Sequence, residues 1–346
     1  MDSGISIVIP TWKGLHLLRE NLPAVLDAAR FYREKTGGDT ELIVVDDGSS
    51  DETTSALPDE FPEARLIAKP QNEGFAITCN VGFQHCQLPV MALLNNDVRV
   101  ERDYLFYLAE HFRDPLVFAV TSRVLEWDGA TFSAGGRVGR FRRGFWSVYF
   151  NYDTCGPDQQ AWIEEHRLLS AYAIGGFAAY DRAKVAELGG FTELLSPFNW
   201  EDVDLSYRGW KRGWEVHYEP RSVAYHRISA TIGAHYQKKR VEAVSFRNRL
   251  LFHWINCHSP VFLASHLLML ALLTLTRFLV FDFSFYRSVY EGWIRLPEVR
   301  RLRRRERARA RRTDAQLCRV WSRFYKSAPI RIYYGRAEVL QARDEK

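Results

Sequence analysis

The chain has little cysteine: five residues (Cys79, Cys86, Cys155, Cys257 and Cys318) in 346, odd in number, scattered, and without a Cys-x-x-Cys pair. This leaves no zinc-ligand spacing and no disulfide framework, and a reducing cytoplasm fits best. No basic segment followed by an apolar core precedes the first strand-like run, so no secretory signal is expected. The longest uncharged apolar stretch, Val261 to Thr276, holds sixteen residues if His266 is neutral. A spanning helix needs roughly 20, so an interfacial or buried helix is expected instead. GxGxxG, GxxxxGK[ST], HExxH and GxSxG are all missing. Their absence removes dinucleotide-binding, P-loop, zincin and nucleophile-elbow enzymes. There is no internal repeat and no low-complexity linker.

The net charge of +5 is unevenly placed, because Arg300 to Arg312 alone carries +8 and the remainder −3. A local basic run points to a surface partner at that end of the chain, and a wholly nucleic-acid-binding protein is not expected. Ten tryptophans among many aromatics allow a large core, and the length suits one large α/β domain with an appendage, or two domains.

Along the chain, Ile5-Ser6-Ile7-Val8-Ile9, Glu41 to Val45 and Val90 to Leu94 read as buried strands and Arg65 to Ala68 as a short third strand. They alternate with helical patterns at Leu15 to Arg33, after Ser49-Ser50-Asp51-Glu52, and from Asn72 to about His85. Ser49 and Glu52 have capping-box spacing. This alternation implies a doubly wound, mostly parallel sheet with helices on both faces. Further helices are expected at Asp103 to Phe112, Arg182 to Leu188 and Asp204 to Arg212, with strands at Phe118 to Val120, Glu215 to Tyr218 and Ser222 to Tyr225. Gly135 to Tyr152 reads as loop or hairpin. From about Val241 the pattern becomes helical. The expected division is 1–230 as an α/β catalytic domain (1–100 nucleotide-binding, 101–230 acceptor half) and 231–346 as a helical C-terminal region.

The polar residues at the strand ends carry the chemistry. Pro10-Thr11, Asp46-Asp47, Asn72 with Gly74, and Asn95-Asn96-Asp97 follow successive strands, and in a parallel sheet they fall on one edge, where open α/β sheets bind ligands. Such a row can bind a nucleotide, with a carboxylate accepting from a base and Asp97 holding Mg2+ or Mn2+ on phosphates. Taken singly, each is also ordinary cap or turn chemistry.

Ile7-Val8-Ile9-Pro10-Thr11, Val44-Val45-Asp46-Asp47-Gly48-Ser49, Asn72-Glu73-Gly74-Phe75 with Asn80, Leu94-Asn95-Asn96-Asp97, Gly175-Gly176-Phe177 before Leu188-Gly189-Gly190-Phe191, and Glu201-Asp202-Val203-Asp204-Leu205 resemble, in order and spacing, family 2 glycosyltransferases. The resemblance covers about residues 4 to 230 and is closest to bacterial, rhamnosyltransferase-like enzymes of surface polysaccharide synthesis. It implies the GT-A fold and inverting transfer from a nucleotide-diphosphate sugar such as dTDP-rhamnose or a UDP-sugar to a lipid-linked or glycan acceptor. By position it places Pro10, Thr11, Asp47, Asn72, Gly74, Asn80 and Asn96 at the nucleotide and Asp97 at a divalent metal. Many relatives carry Asp-x-Asp where this chain has Asn95-Asn96-Asp97, so weaker metal binding or a second ligand is implied. His226 is the candidate for that ligand, or else a hydrogen-bonded structural histidine. Asp202 is the expected general base with Glu201 as its substitute, Asp204 is expected to cap a helix, and Trp200 either stacks on an acceptor sugar or belongs to the core.

The apolar helix and arginine run suit a peripheral anchor on the cytoplasmic face of a bacterial inner membrane. A helical subdomain or homo-oligomer interface is the plainer reading. Competing functions are a nucleotidyltransferase forming nucleotide sugars, for which Pro10-Thr11-Trp12-Lys13-Gly14 is a faint version of the needed loop, and a non-catalytic membrane-associated scaffold.

Overall fold

The structure is a computed structural model that describes residues 4–154, 159–227, 237–334 and 337–339. In chain order its elements are β1 (Gly4–Thr11), α1 (Leu15–Thr36), β2 (Asp39–Asp46), α2 (Thr53–Glu60), β3 (Ala64–Ala68), α3 (Phe75–His85), β4 (Val90–Leu94), β5 (Val98–Val100) and α4 (Tyr104–Glu110). Next come β6 (Val117–Glu126), β7 (Phe132–Ala134), β8 (Gly136–Arg142), β9 (Phe145–Thr154), α5 (Gln159–Glu165), β10 (Phe177–Asp181), α6 (Arg182–Leu188), α7 (Glu201–Arg212) and β11 (Glu215–His226). The chain continues as α8 (Lys238–Asn256), α9 (Pro260–Leu279), α10 (Phe283–Trp293), α11 (Leu296–Arg309), α12 (Asp314–Ser327), β12 (Ile330–Tyr334) and β13 (Ala337–Val339).

The main sheet runs β3-β2-β1-β4-β10-β6-β11-β5, with β7 beside β6. β3, β2, β1 and β4 are mutually parallel, β11 is parallel to β6, and β10 enters antiparallel between β4 and β6. The expected α/β class with a mostly parallel sheet is what the chain adopts. β1 is buried along its whole length, as a near-continuous β-branched run should be when helices cover both faces of a parallel sheet. On one face, Gly82 of α3 lets Val8 approach where any side chain would collide.

Several sequence expectations are revised. Ser49 does not form a capping box with Glu52. Its hydroxyl and amide both turn back to Asp46, and α2 starts later, with the Thr53 amide donating to Asp51. A carboxylate two residues before the first turn competed successfully for the helix start. Gly135 to Tyr152 is the β8–β9 hairpin, and the two short runs after Glu215 are one strand with an irregularity between Glu219 and Val223. The C-terminal region is not wholly helical: β12 pairs with β9, giving a second sheet ordered β13-β12-β9-β8. The expected boundary near residue 230 lies outside the described residues, as does Cys155. Cys79, Cys86, Cys257 and Cys318 are free thiols.

The C-terminal helices share the catalytic core. Trp321 of α12 sits edge-on to Trp146 of β9 (5.6 Å between centroids) and Trp210 of α7 (5.8 Å). In α8, Asn248 donates to the carbonyls of Leu195, Phe198 (2.9 Å) and Asn199 (2.9 Å), while Arg247 donates to the Ser196 carbonyl at 2.6 Å. A loop otherwise left with buried, unpaired carbonyls is thereby fixed from outside the sheet. Asn248→Leu keeps the volume and removes those donors. It is expected to lower the unfolding free energy by about 2–4 kcal/mol, measured by chemical denaturation. A change within 0.5 kcal/mol contradicts the pinning role.

Candidate active site

The ends of β1, β2 and β4 and the loop after β3 form the floor of one cleft of about 1030 Å³. Thr11 closes β1, and its hydroxyl accepts from the Asn96 side-chain amide at 2.9 Å, while the Asn96 carbonyl accepts from Asn21 of α1 at 3.0 Å. Asp47 follows β2. One carboxylate oxygen accepts from the Lys69 ammonium (2.7 Å) and the Glu73 amide (2.9 Å), the other from the Gly74 amide (2.9 Å). Gly74 has φ 92° and lies against the Pro197 backbone, so a side chain there is excluded twice over. Asp47 thus holds the Asn72–Gly74 loop in place as well as facing the cleft.

Asp97 and His226 lie far apart in sequence and meet because β11 runs antiparallel to β5 with His226 opposite Val98. The His226 Nε2 is 3.5 Å from one Asp97 oxygen. The other Asp97 oxygen is buried with no hydrogen-bond partner. A buried carboxylate oxygen left bare is costly, and the residue that carries it lines the cleft. These two residues fit a hard divalent cation that takes its remaining ligands from water and substrate phosphate. No cluster of three or more ligating side chains occurs among the described residues.

On the other wall, α7 begins with Glu201 and Asp202. Asp202 accepts from the Gly175 amide (3.1 Å) and the Val203 amide (2.7 Å), while one Glu201 oxygen is buried and unpartnered. Burial pushes the Glu201 carboxyl up to about 8, helped by the charges of Asp202 and Asp204. Burial also raises Asp202, but the Gly175 and Val203 amides and the Arg137 guanidinium oppose the shift. Asn199 (φ 70°) and Trp200 (φ 77°) enter the helix through the left-handed region. Trp200 packs on Phe252 while lining the cleft, so it is both core and wall.

Pro10, Thr11, Asp47, Asn72, Gly74, Asn96, Asp97, Trp200, Glu201, Asp202 and His226 all line this cleft. Asn80 does not. Its side chain is spent on Phe191, accepting from the amide at 2.8 Å and donating to the carbonyl at 3.0 Å, which ties α3 to the Gly189-Gly190-Phe191 turn. Asp204 is not a cap either. It lies within α7 and binds Thr192, Arg208 and Asn256. Lys69, Asn248 and the cleft residues Arg137 and Tyr149 went unrecognised in the sequence. Lys69 had a faint signal, a cation directly after a short strand; the other three carry none, because strand pairing and helix packing bring them in.

By comparison with known proteins, this α/β architecture belongs among the glycosyltransferases. The structure of GalNAc-T7 with UDP, GalNAc and Mn2+ shares the fold, with TM-score 0.54 and 18% identity over 72% of this chain and 47% of that one. The model for Glycosyl transferase family 2 matches residues 6–188, and the chain belongs to that family. Asp47 and Asp97 fall inside the match and Glu201, Asp202 and His226 beyond it. Pre-mycofactocin glycosyltransferase of Mycobacterium tuberculosis is 28% identical over 189 residues, 54% of this chain and 37% of that protein's own length. O-antigen chain rhamnosyltransferase RfbN of Salmonella typhimurium is 27% identical over 239 residues, 68% of this chain and 69% of that protein.

Glu201 gives a stability test. Between its ordinary value of 4.5 and about 8, the unfolded chain has released this proton and the folded chain keeps it, so stability attributable to this group falls as pH rises. Glu201→Gln is expected to raise Tm relative to wild type by an amount that grows from pH 5 to pH 8. A pH-independent difference excludes the buried protonated carboxyl.

Proposed function

We propose that the protein is a metal-dependent inverting glycosyltransferase that moves a sugar from a nucleotide-diphosphate donor, dTDP-rhamnose or a UDP-sugar, to a glycan or lipid-carried acceptor in bacterial surface polysaccharide synthesis. The observation that carries this reading is the placement of Asp97 with His226 and of Asp202 on one cleft. One site serves the leaving diphosphate and the other the attacking hydroxyl. The family membership and the two bacterial relatives support the reaction class; the donor choice follows the likeness to the rhamnosyltransferase.

Asp97 and His226 would hold the divalent cation, whose positive charge favours departure of the diphosphate. Thr11, Asn72 and Asn96 line the nucleotide side, and the anchored Asp47 keeps accepting capacity for a base N–H. Asp202 accepts the proton of the acceptor hydroxyl as its oxygen bonds to the anomeric carbon and the bond from that carbon to the diphosphate oxygen breaks. The Gly175 and Val203 amides fix the Asp202 carboxylate in orientation. Glu201 retains its own proton at neutral pH and so spares the pair the repulsion of two adjacent buried charges. Arg137 lies on the acceptor side with its face over Tyr172, 5.2 Å from the ring centroid, where its charge restrains the rise in the Asp202 pKa.

Turnover should be assayed across UDP-, dTDP- and GDP-sugars with Mn2+ or Mg2+. Asp202→Asn is expected to lose about 10²–10⁴-fold in kcat while nucleotide binding by calorimetry is retained; unchanged turnover removes the base assignment. Asp97→Asn and His226→Ala should each raise the metal concentration needed for half-maximal rate at least about 10-fold. Nucleotide-sugar synthesis from a sugar phosphate, with no transfer, would identify a nucleotidyltransferase instead.

A further inference from the structure

The helices α9 and α10 present an apolar surface that no other element covers among the described residues. On α9, Val261, Leu268, Leu272, Leu275 and Leu279 recur at helical spacing and are 73%, 74%, 51%, 70% and 74% exposed. Only His266 of that helix is buried, and its length and composition would suffice to cross a membrane. The turn that follows is apolar too: Phe278, Val280, Phe281 and Phe283 are 66–75% exposed. On the return helix Tyr290 and Trp293 are exposed where the hairpin rejoins the body, a position that amphipathic aromatics favour at a lipid–water boundary.

The chain on either side decides how this surface meets a bilayer. Before it, α8 pins the loop that leads to Glu201 and Asp202. After it, Asp314 at the start of α12 accepts from the His258 (2.7 Å) and Ser259 (2.6 Å) amides and from Lys211 (2.6 Å), and β12 completes the sheet with β9. Both ends of the hairpin are thus built into one folded body, and α9 cannot reach the far side of a membrane without tearing that body apart. We propose that α9 and α10 lie in a single leaflet of an anionic phospholipid bilayer, a monotopic anchor with both flanks on the same side.

Charge favours a lipid surface. Arg303, Arg309 and Arg312 donate to backbone carbonyls of the body, but Arg300, Arg304, Arg307 and Arg311 are exposed and have no carboxylate partner among the described residues. This cationic stripe lies on and just beyond the helix that directly follows the hairpin in the chain, and anionic headgroups complement it. The anchor also lies close to the cleft. α8 offers Val241 and Ser245 to the cleft, while Ala243 and Phe246 of the same helix take Ser288 (3.0 Å) and Phe285 (5.3 Å between centroids) of α10. The cleft and the apolar outer face are two helix layers apart, α8 and then α10, about 20 Å. An acceptor held by a lipid tail spans that separation; this last step rests on the transferase reading, and the docking itself does not.

The full-length protein should float with vesicles of phosphatidylglycerol and phosphatidylethanolamine and much less with pure phosphatidylcholine. The double substitution Leu268→Glu with Leu275→Glu, on exposed positions, is expected to cut vesicle binding at least 10-fold with Tm unchanged. Arg300→Glu with Arg304→Glu should cut it several-fold on anionic vesicles only. Protease added outside should cleave tags at both termini of the vesicle-bound protein. Binding that survives the leucine substitutions, a tag protected inside the vesicle, or a dimer that those substitutions dissolve while vesicle binding is absent each overturns the proposal. Loss of transfer to every acceptor with vesicle binding intact would count against the transferase reading alone.

Discussion

Buried carboxylates are the constraint on which the rest of this structure depends, and they divide into those matched by a cation and those that are not. Asp204 has Arg208 at 2.8 Å, Asp314 has Lys211 at 2.6 Å, Glu306 has Arg212 at 2.7 Å and Asp47 has Lys69 at 2.7 Å. Such pairs hold secondary structure together and can be neutral in net stability, though removing one partner is severe. Asp97 and Glu201 are also out of water and Asp202 is half-buried, yet none has a lysine or arginine in salt-bridge contact among the described residues. What they have is a histidine, two backbone amides and two bare oxygens. Unmatched buried acids are unfavourable unless a ligand or a shifted protonation state completes them. Asp97, Glu201 and Asp202 lie on the same cleft, whereas Asp46, buried and also without a cation, has its oxygens taken by the Ser49 hydroxyl and amide.

That division was invisible in the sequence, where Asp202 and Asp204 look alike. Both open the same helix, and spacing alone makes Asp204 the natural cap. In the fold, Asp204 points into the core toward Arg208 and Asn256, and Asp202 points at the Gly175 amide. Asn80 failed for a similar reason. It sits in a motif whose neighbours line the cleft, but one helical turn separates it from them, and its amide serves the Phe191 backbone. The strand-end residues were legible because a parallel sheet fixes which end of each strand faces a ligand. Thr11, Asp47 and Asn96 needed no knowledge of side-chain packing to be placed together. His226 and Asp97 meet through a strand register across more than a hundred residues, and only the likeness to a known family suggested that pair.

The C-terminal region was legible as helices and opaque as structure. Periodicity marks α8 through α12, yet it cannot say that Trp321 completes an aromatic cluster with Trp146 and Trp210, nor that β12 continues a sheet begun near residue 136. Those contacts depend on long-range pairing, which no local pattern encodes. The arginine run is divided in the same way: some guanidiniums close backbone carbonyls of the body, and others stand free.

The loop before α7 shows why that region belongs to the active site. Asn199 and Trp200 adopt left-handed backbone angles, at roughly 1–2 kcal/mol for each non-glycine residue. The conformation brings Glu201 and Asp202 to the cleft as the first residues of a helix whose amides then orient Asp202. Opposing the strain is Asn248, which lies beyond the matched family segment and shares the two N–H groups of its side-chain amide among the carbonyls of Leu195, Phe198 and Asn199. The loop geometry and the docking of α8 are thereby linked. α8 in turn packs against α10, whose open outer face carries Phe283, Tyr290 and Trp293 beside the Arg287–Glu291 pair. A perturbation of that outer helix therefore has a short mechanical route to the acidic pair, through one helix and one asparagine.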